Sequence, residues 1–214
     1  MNQLPILYSF RRCPYAMRAR LALTIAKMPV IIREIDLKNK ATEFLEISPK
    51  ATVPVLLLPS GKIIDESLDI VDYAIPEDTH REQRLALLAQ LHKETIPALM
   101  RYKYHERYED VDIAYEQSVI CQFFEVLNTL LSESTYLFED TIGKEDIVIL
   151  PFVRQIYKID AQWFDALKYL HVKKWLHAFL DSELHSHIMR KFPVWAPGQE
   201  EQITYSLNEK GDLK

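Results

Sequence analysis

Strand and helix signals alternate along the first third of the chain, and this alternation constrains the fold more than any other feature. A short apolar run at 4–8 predicts a strand. Cys13-Pro14 predicts a helix start, because Pro is favoured at the first helical position. One face of that helix is apolar, with residues recurring every four positions. They are Met17, Leu21 and Ile25. A β-branched run at 30–32 predicts the next strand, so the chain opens β–α–β, which favours parallel strands and a right-handed crossover.

The alternation continues with shorter elements. A polar stretch with a short helix at 42–45 leads to a third strand at 53–58. A turn signal then precedes an apolar pair at 63–64, which predicts an antiparallel hairpin. A helix over 68–74 follows. The predicted order over 4–75 is therefore β-α-β-α-β-β-α, an α/β domain.

Strand signals stop at about residue 81, and apolar residues then recur at helical spacing. The predicted helices cover 81–107, 115–131, 146–157, 172–179 and a stretch after 183. Pro97 falls inside the first of them and predicts a kink. The sequence thus predicts an α/β domain over 1–75, a linker over 76–81 and an all-α helical bundle over 82–214.

Composition and charge exclude several classes of protein. No apolar run approaches the roughly 18 residues that a membrane span needs, and the N-terminus lacks the pattern of a secretory signal. Two cysteines form no disulfide framework, which favours a reducing, cytoplasmic location. The net charge of -5 argues against a nucleic-acid partner. We therefore expect neither a membrane nor a nucleic acid among its partners.

Positive charge is concentrated near the N-terminus. Residues 1–40 carry eight Lys or Arg and two acids, a local net charge of +6. Such a region attracts a small anion through its summed field, or it is an ordinary solvated face. Charge alone favours neither interpretation.

Cys13 carries the most chemistry. A Cys just before a helix has backbone N–H groups and the positive end of the helix dipole aimed at its sulfur, which lowers the pKa of the thiol. Arg11 and Arg12, immediately upstream, are expected to add to this effect. The alternative is a buried, inert cysteine, but the position at a Pro-started helix favours a reactive one. Ala16 stands where a second redox Cys would be, so an external thiol must resolve any mixed disulfide.

Other Cys and His residues show no sign of a reactive site. Cys121 lies in an apolar-periodic run, and we interpret it as a core residue. The seven His are scattered, and no set of Cys and His has the spacing of a zinc site. We therefore expect no metal.

Four motifs stand in a distinctive order along the first 67 residues. They are Tyr8-Ser9-Phe10-Arg11-Arg12-Cys13-Pro14-Tyr15-Ala16, Asp36-Leu37-Lys38-Asn39-Lys40, Ser48-Pro49-Lys50-Ala51-Thr52-Val53-Pro54-Val55-Leu56 and Asp65-Glu66-Ser67. In order and spacing they resemble the glutathione transferase superfamily, within it the omega-like, cysteine-type members. The helical half matches more loosely, mainly through residues 146–155. The resemblance implies a thioredoxin-like first domain, an all-helical second domain and glutathione as co-substrate.

The resemblance also implies roles for individual residues. Val53-Pro54 resembles the family's cis-proline turn, which leaves the backbone of Val53 to pair with the cysteinyl part of glutathione. Glu66 and Ser67 are implied to hold the ammonium and the carboxylate of the γ-glutamyl end, and Lys40 the glycyl carboxylate. Ser67 alone is equally consistent with a helix N-cap. Two further implied glutathione-binding residues are Pro14 and Tyr15.

The second half departs from the family at one helix start. The family's core helix often begins with Ser or Thr three residues before an Asp, whereas Gly143 stands before Asp146 here. Gly is an acceptable cap, and we expect the Asp146 carboxylate to accept from the Gly143 N–H, which keeps half of a capping box.

Three functions remain open, and glutathione-dependent thiol transfer or reduction is the preferred one. In it, the Cys13 thiolate attacks a glutathione mixed disulfide, and a second glutathione releases Cys13. The first alternative is conjugation of glutathione to an electrophile, for which the family usually uses a Ser or Tyr hydroxyl; Ser9, Tyr15 and Tyr8 are candidates. The second is a non-catalytic regulator resembling stringent-starvation proteins of RNA polymerase, which has no need of an intact glutathione site.

We expect a small disulfide or electrophile to bind where the helical half faces the thiol. Candidates for this wall are Tyr102, Tyr104, His105 and Trp163, and ordinary packing or a wet surface is the favoured alternative for each. Because the family usually forms twofold dimers, the resemblance also implies a homodimer.

Overall fold

The opening β–α–β order folds into a parallel pair of strands joined by a helix, as predicted. The computed structural model describes residues 3–204. In it β1 is Ile6–Ser9, β2 is Val30–Glu34 and α1, the connection, is Pro14–Ile25. β1 and β2 are parallel, with Tyr8 opposite Arg33.

Three short strands complete the sheet. β3 (Val55–Leu57) pairs antiparallel with β1, and β4 (Ile63–Ile64) pairs antiparallel with β3, which confirms the predicted hairpin. β5 (Gln202–Thr204) lies antiparallel to β2. The sheet order is β4-β3-β1-β2-β5, so β1 is central and β2 lies between β1 and β5.

Helices make up most of the remaining described chain. In order they are α2 (Thr42–Ile47), α3 (Ser67–Ala74), α4 (Arg81–Gln90), α5 (Ile96–Lys103), α6 (Ile113–Leu130), α7 (Lys144–Ile159), α8 (Ala161–Ala166), α9 (Leu170–Leu180) and α10 (Glu183–Ile188). None of the described helices combines the length and the apolarity that crossing a membrane requires.

The described chain divides into two units: residues 3–77 together with 180–204, and residues 78–179. The first unit is a mixed sheet with helices, and the second is helical throughout its regular elements. This agrees with the architecture that the resemblance implies, a thioredoxin-like domain followed by helices.

The two faces of the sheet in the first unit have separate cores. Alternate residues of β1 point to opposite faces, because the side-chain period of a strand is two. Leu7 lies in a cluster with residues of α1 and α3, whereas Tyr8 lies in a second cluster with Phe44 of α2 and Val55 of β3. Cys13 packs against the second cluster.

Within the second unit, α7 is the central helix. Most of its first ten residues are apolar and all ten are buried, and it packs against α4, α5 and α8. As expected, Asp146 Oδ2 accepts from the N–H of Gly143 at 2.8 Å. Oδ1 of the same carboxylate accepts from Trp175 Nε1 and from the N–H of Leu137. The burial of this group raises the pKa of Asp146 to about 7.

The irregularity predicted at Pro97 takes the form of a π-helical turn, Leu91–Thr95, between α4 and α5. Pro97 has no N–H to donate to the preceding turn, so the regular α-helical ladder cannot continue through it. The wider turn lies directly before α5, in which Pro97 occupies the second position.

The structure corrects the expectation that residues 82–214 are all-helical. β5 belongs to the sheet of the first unit, and α10 packs against α1. The strand was missed because Gln202–Thr204 has too few apolar residues to give a strand signal, and it forms by pairing with β2. The short helix α8 was also missed. The rest of the C-terminal tail, 205–214, lies outside the described residues.

Candidate functional site

A cavity of about 610 Å³ opens in the first unit beside the start of α1. Seven predicted site residues line it: Cys13, Tyr15, Lys40, Val53, Pro54, Glu66 and Ser67. Among the residues implied to bind glutathione, only Pro14 lies outside this lining. Five residues that the sequence did not single out complete the wall: Leu37, Lys50, Ala51, Thr52 and Asp65. The fold thus gathers three separate motifs around one thiol.

Cys13 is the N-cap residue of α1, which begins at Pro14 as predicted. Its backbone is anchored on both sides. The N–H donates to the carbonyl of Phe10 at 3.0 Å, and the carbonyl accepts from the N–H of Met17 at 2.9 Å. The side chain is half-buried, so the sulfur lies at the floor of the cavity rather than in bulk solvent.

The pKa of Cys13 differs from the sequence expectation. Burial raises the pKa of the thiol above its ordinary value of 9.0, because the charged thiolate is removed from water. Hydrogen bonds from the N–H groups of Ala16 and Tyr15 oppose this shift, as do the charges of Arg20 and Arg18. The helix start therefore acts in the predicted direction, but burial outweighs it. Burial therefore favours the thiol over the thiolate at this position.

Arg11, expected to lower the pKa of the thiol, instead anchors the loop that precedes it. Its N–H donates to Glu34 Oε1 at 2.7 Å, and its Nη1 donates to the carbonyl of Met189 at 3.3 Å. Arg20 of α1 donates to Glu34 Oε2 at 2.6 Å and to the carbonyl of Ile188 at 3.0 Å. The buried Glu34 carboxylate therefore joins the loop to α1, and the two arginines join both to the end of α10.

The peptide bond between Val53 and Pro54 is cis, as the motif implies. The carbonyl oxygen of Val53 lies 3.9 Å from the sulfur of Cys13 and accepts from it. β3 begins directly afterwards at Val55. The backbone of Val53 thus runs beside the thiol, where an extended peptide can add as one further strand edge.

The helix α3 presents its N-terminus to the same cavity. Ser67 is its first residue and Glu66 its cap, so the N-cap alternative for Ser67 is wrong by one position. The buried Ser67 hydroxyl accepts from Arg18 Nη1 at 3.5 Å. Burial lowers the pKa of Arg18 to about 9, which leaves the guanidinium charged at neutral pH. A helix start, a hydroxyl and a buried cation together favour a carboxylate at this end.

Lys50 stands 16 residues before Glu66 in the sequence, and it bonds two acids at this end of the cavity. Its Nζ lies 2.9 Å from Asp65 Oδ2 and 2.8 Å from Glu66 Oε1. Glu66, implied to bind a ligand ammonium, therefore already has a cationic partner.

The three hydroxyls considered for conjugation are placed differently. Tyr15 lines the cavity, whereas Tyr8 and Ser9 do not. Tyr8 is fully buried, and its hydroxyl accepts from Arg33 Nη1 at 2.7 Å. The same guanidinium lies 4.3 Å from the ring of Trp195. Tyr8 is therefore committed to the packing of β2 and the C-terminal segment.

Residues 7–80 match the family model described as glutathione S-transferase, N-terminal domain. The chain is 25% identical to the probable glutathione S-transferase MSR-1 of Nicotiana plumbaginifolia, over 72% of this chain and 74% of that protein. It is 24% identical to glutathione S-transferase omega-1 of Mus musculus, over 92% of this chain and 81% of that protein.

The fold also matches a glutathione transferase from Pseudomonas putida, solved with one glutathione disulfide bound per subunit. The TM-score is 0.74 at 20% identity, over 88% of this chain and 91% of that chain. Residues 7–80 are therefore a glutathione S-transferase N-terminal domain, and the chain as a whole has the glutathione transferase fold. This similarity explains why motifs that are weak one at a time meet around a single cavity.

The superfamily's second-substrate wall was predicted from Tyr102, Tyr104, His105 and Trp163, which all lie in the second unit. The structure brings Tyr102 and Trp163 together, with ring centroids 5.8 Å apart. Tyr102 is buried, and its hydroxyl bonds Gln117 and Asp160. These contacts are ordinary packing, the alternative that the sequence favoured for Tyr102.

The other two candidates occupy the turn after α5. The ring of Tyr104 lies between cations, 5.0 Å from Lys103 Nζ and 4.3 Å from the guanidinium carbon of Arg107. Nδ1 of His105 bonds the carbonyl of Tyr102 at 3.1 Å. Within the described part of the chain, none of these contacts points to a ligand-binding role for Tyr104 or His105.

Sequence reasoning missed Lys50 and Asp65 and assigned the cationic influence on Cys13 to the wrong arginines. Lys50 and Asp65 stand inside two different quoted motifs, and their pairing depends on how two loops meet, which the sequence does not show. Arg18 and Arg20 lie on α1 beyond the motif, and a spacing of four residues from the helix start at Pro14 was the available signal for Arg18.

Proposed function

We propose that the protein transfers or reduces glutathione-linked thiols, with Cys13 as the nucleophile. The observation that carries this proposal is the 3.9 Å contact between the Cys13 sulfur and the Val53 carbonyl inside a cavity that also holds Ser67 and Lys40. A thiol, the neighbouring backbone of Val53 and groups for two carboxylates are what a cysteine-containing tripeptide requires.

Glutathione would bind in an extended form along this cavity. Its cysteinyl backbone would pair with Val53, which sets its sulfur beside that of Cys13. The γ-glutamyl carboxylate would accept from Ser67 and the start of α3, and the glycyl carboxylate would pair with Lys40. The binding energy of the two ends then fixes the distance between the two sulfur atoms.

The proposed cycle has two thiol–disulfide exchanges. In the first, the Cys13 thiolate attacks the glutathionyl sulfur of a mixed disulfide, forms a Cys13–glutathione disulfide and releases the other thiolate, which takes up a proton. In the second, the thiolate of a free glutathione attacks this disulfide, so that glutathione disulfide leaves and Cys13 returns as thiolate. The net reaction converts the mixed disulfide and one free glutathione into the released thiol and glutathione disulfide, so one sulfur is reduced and that of the free glutathione is oxidised in its place.

The raised pKa of Cys13 changes the balance between these steps. A thiol of higher pKa is the stronger nucleophile once ionised, but a smaller fraction is ionised at neutral pH. It is also a poorer leaving group, so we expect the second exchange to be slower than for a low-pKa cysteine. The N–H groups of Ala16 and Tyr15 support the thiolate when it forms.

Conjugation of glutathione to an electrophile is the second candidate, and Tyr15 is the observation that favours it. Its hydroxyl is the one phenol in the described cavity lining. Tyr8, the alternative phenol, is committed to Arg33. A neighbouring Cys13 would compete by forming a disulfide with glutathione, which places conjugation behind thiol transfer.

The relatives support the preferred proposal at the level of the family. Mouse omega-1 is a glutathione S-transferase of the omega class, and the Pseudomonas putida transferase binds glutathione disulfide. A regulator without catalysis would not need Lys40, Ser67 and Cys13 in one cavity. A homodimer, a cytoplasmic location and a small disulfide as second substrate stay predictions.

The test is reaction of the purified protein with glutathione disulfide, followed by intact mass, with Cys13→Ala and Cys121→Ser beside the wild type. We expect one glutathionyl adduct on the wild type and on Cys121→Ser, none on Cys13→Ala, and its removal by added glutathione. An adduct that persists in Cys13→Ala would assign the chemistry to Cys121. If no adduct forms and glutathione does not bind, the non-catalytic regulator would be favoured over both enzymatic functions.

A further inference from the structure

Lys50 is a cation of the protein that occupies the acidic end of the cavity. Its Nζ bonds Asp65 Oδ2 at 2.9 Å and Glu66 Oε1 at 2.8 Å, and all three residues line the wall. Hydrogen bonds to Glu66 and Asp65 raise the pKa of Lys50, so the ammonium is fully charged at neutral pH. The side chain is 55% exposed, which leaves it free to move into solvent.

The pairing with Lys50 neutralises the acidic side chains of the cavity lining. Among the described lining residues, the acids are Asp65 and Glu66, and both have Lys50 as partner. The other lysine of the lining is Lys40, for which no bond to either acid is found. An arriving ligand ammonium therefore meets carboxylates that a lysine ammonium already neutralises.

We propose that Lys50 is an internal competitor for the ammonium subsite and that it sets how strongly the site distinguishes ligands with a free γ-glutamyl amino group from ligands without one. The inference rests on the proposed function, because it takes glutathione-like thiols as the ligands. When the amino group is present it displaces Lys50 from Glu66. When it is absent, Lys50 stays and keeps the two acids neutralised.

The size of the effect follows from the exposure of the pair. Exposed ion pairs contribute little, because water screens them and long side chains lose freedom in forming them. Removal of Lys50 would leave two adjacent carboxylates unpaired, which attract a ligand ammonium and repel a lone ligand carboxylate. We expect Lys50→Met to tighten binding of the amino-bearing ligand by about twofold to fivefold, as for one exposed pair, and to weaken binding of the des-amino ligand.

The opposite role of Lys50 makes a different prediction. If Lys50 instead bound a ligand carboxylate directly, Lys50→Met would weaken both ligands by a similar factor. If the triad were an inert surface pair, neither affinity would change. The ratio of the two affinities therefore separates competition from both alternatives.

The experiment is calorimetric titration of wild type, Lys50→Met and Lys62→Met with S-methylglutathione and with its analogue lacking the γ-glutamyl amino group. The S-methyl group prevents disulfide chemistry. Lys62 is the matched control, since it is an exposed lysine of the same unit outside the cavity lining. We expect the affinity ratio of the two ligands to rise at least threefold in Lys50→Met and to stay unchanged in Lys62→Met.

The outcomes separate this inference from the function on which it rests. An unchanged ratio in Lys50→Met, with normal binding by the wild type, overturns the inference alone. Absence of S-methylglutathione binding by the wild type removes the proposed function and the inference with it. The double variant Lys50→Met/Glu66→Gln should lose the increase in the affinity ratio, because the acceptor for the ligand ammonium is then uncharged.

Discussion

The sulfur of Cys13 lies 3.9 Å from the carbonyl oxygen of Val53, across a chain separation of 40 residues. One partner is the N-cap of α1 and the other begins a cis peptide bond. The contact places the nucleophile against the strand edge that would hold its co-substrate. It also removes the sulfur from water, which raises the pKa of the thiol.

Reactivity of Cys13 should therefore rise steeply with pH. The folded-state pKa lies above the ordinary value of 9.0, so only a small fraction of the residue is thiolate at neutral pH. We expect the rate of alkylation by iodoacetamide to increase about tenfold per pH unit between pH 6 and 8. Rates for the Cys121→Ser variant, read by mass, isolate Cys13. A plateau reached below pH 7 would contradict the raised pKa.

Ser67→Ala should weaken glutathione binding. The hydroxyl lies at the first position of α3 beside Arg18, where a carboxylate would accept from it. A hydrogen bond to a charged group contributes about 1.5–3 kcal/mol, so the affinity should fall at least about tenfold. Ser60→Ala, in the exposed turn before β4, is the control and should bind as the wild type does. Equal affinities for the two variants would remove Ser67 from the site.

Glu34→Ala should lower the free energy of unfolding of the first unit and also slow the reaction of Cys13. The carboxylate is buried and bonds both Arg20 and the N–H of Arg11. Its loss leaves Arg20 buried without its counter-charge, which costs about 3–5 kcal/mol of the free energy of unfolding. Glu46→Ala, on the exposed side of α2, should change it by less than about 0.5 kcal/mol. Urea titration of both variants checks the difference.

The protein should lose stability through His187 as the solution becomes acidic. Burial, with the charge of Arg190, lowers the pKa of this imidazole below its ordinary 6.5, and its Nδ1 has no partner among the described residues. As pH falls through 6.5, the unfolded chain takes up this proton first, so stability is lost progressively toward the folded-state pKa.

The comparison is with His187→Gln, which cannot titrate. Between pH 7.5 and 5.5 the wild type should lose more free energy of unfolding than the variant, by up to about 1.4 kcal/mol for each pH unit below 6.5. Groups other than His187 contribute equally to both proteins and cancel. Parallel stability curves for the two proteins would show that His187 is not the group responsible.

Local signals predicted the elements that hold the site, because each signal acts within a few residues. Pro14 started α1, the turn before Ile63 produced the hairpin, and Asp146 reached back to Gly143. The resemblance implied that Val53-Pro54 is cis, and it is. β5 gave no such signal, since its strand exists by pairing with β2. The partner of Glu66 was likewise invisible, because Lys50 lies in another loop.

The sequence by itself determined that a thiol stands at the start of a helix and that glutathione-type motifs surround it. The tertiary structure decided in which direction the pKa of that thiol is shifted. The start of α1 lowers the pKa of Cys13 through the N–H groups of Tyr15 and Ala16, which a sequence shows directly. Burial raises the pKa through neighbours such as Val53, 40 residues away, and the depth of burial depends on packing that only the folded chain possesses.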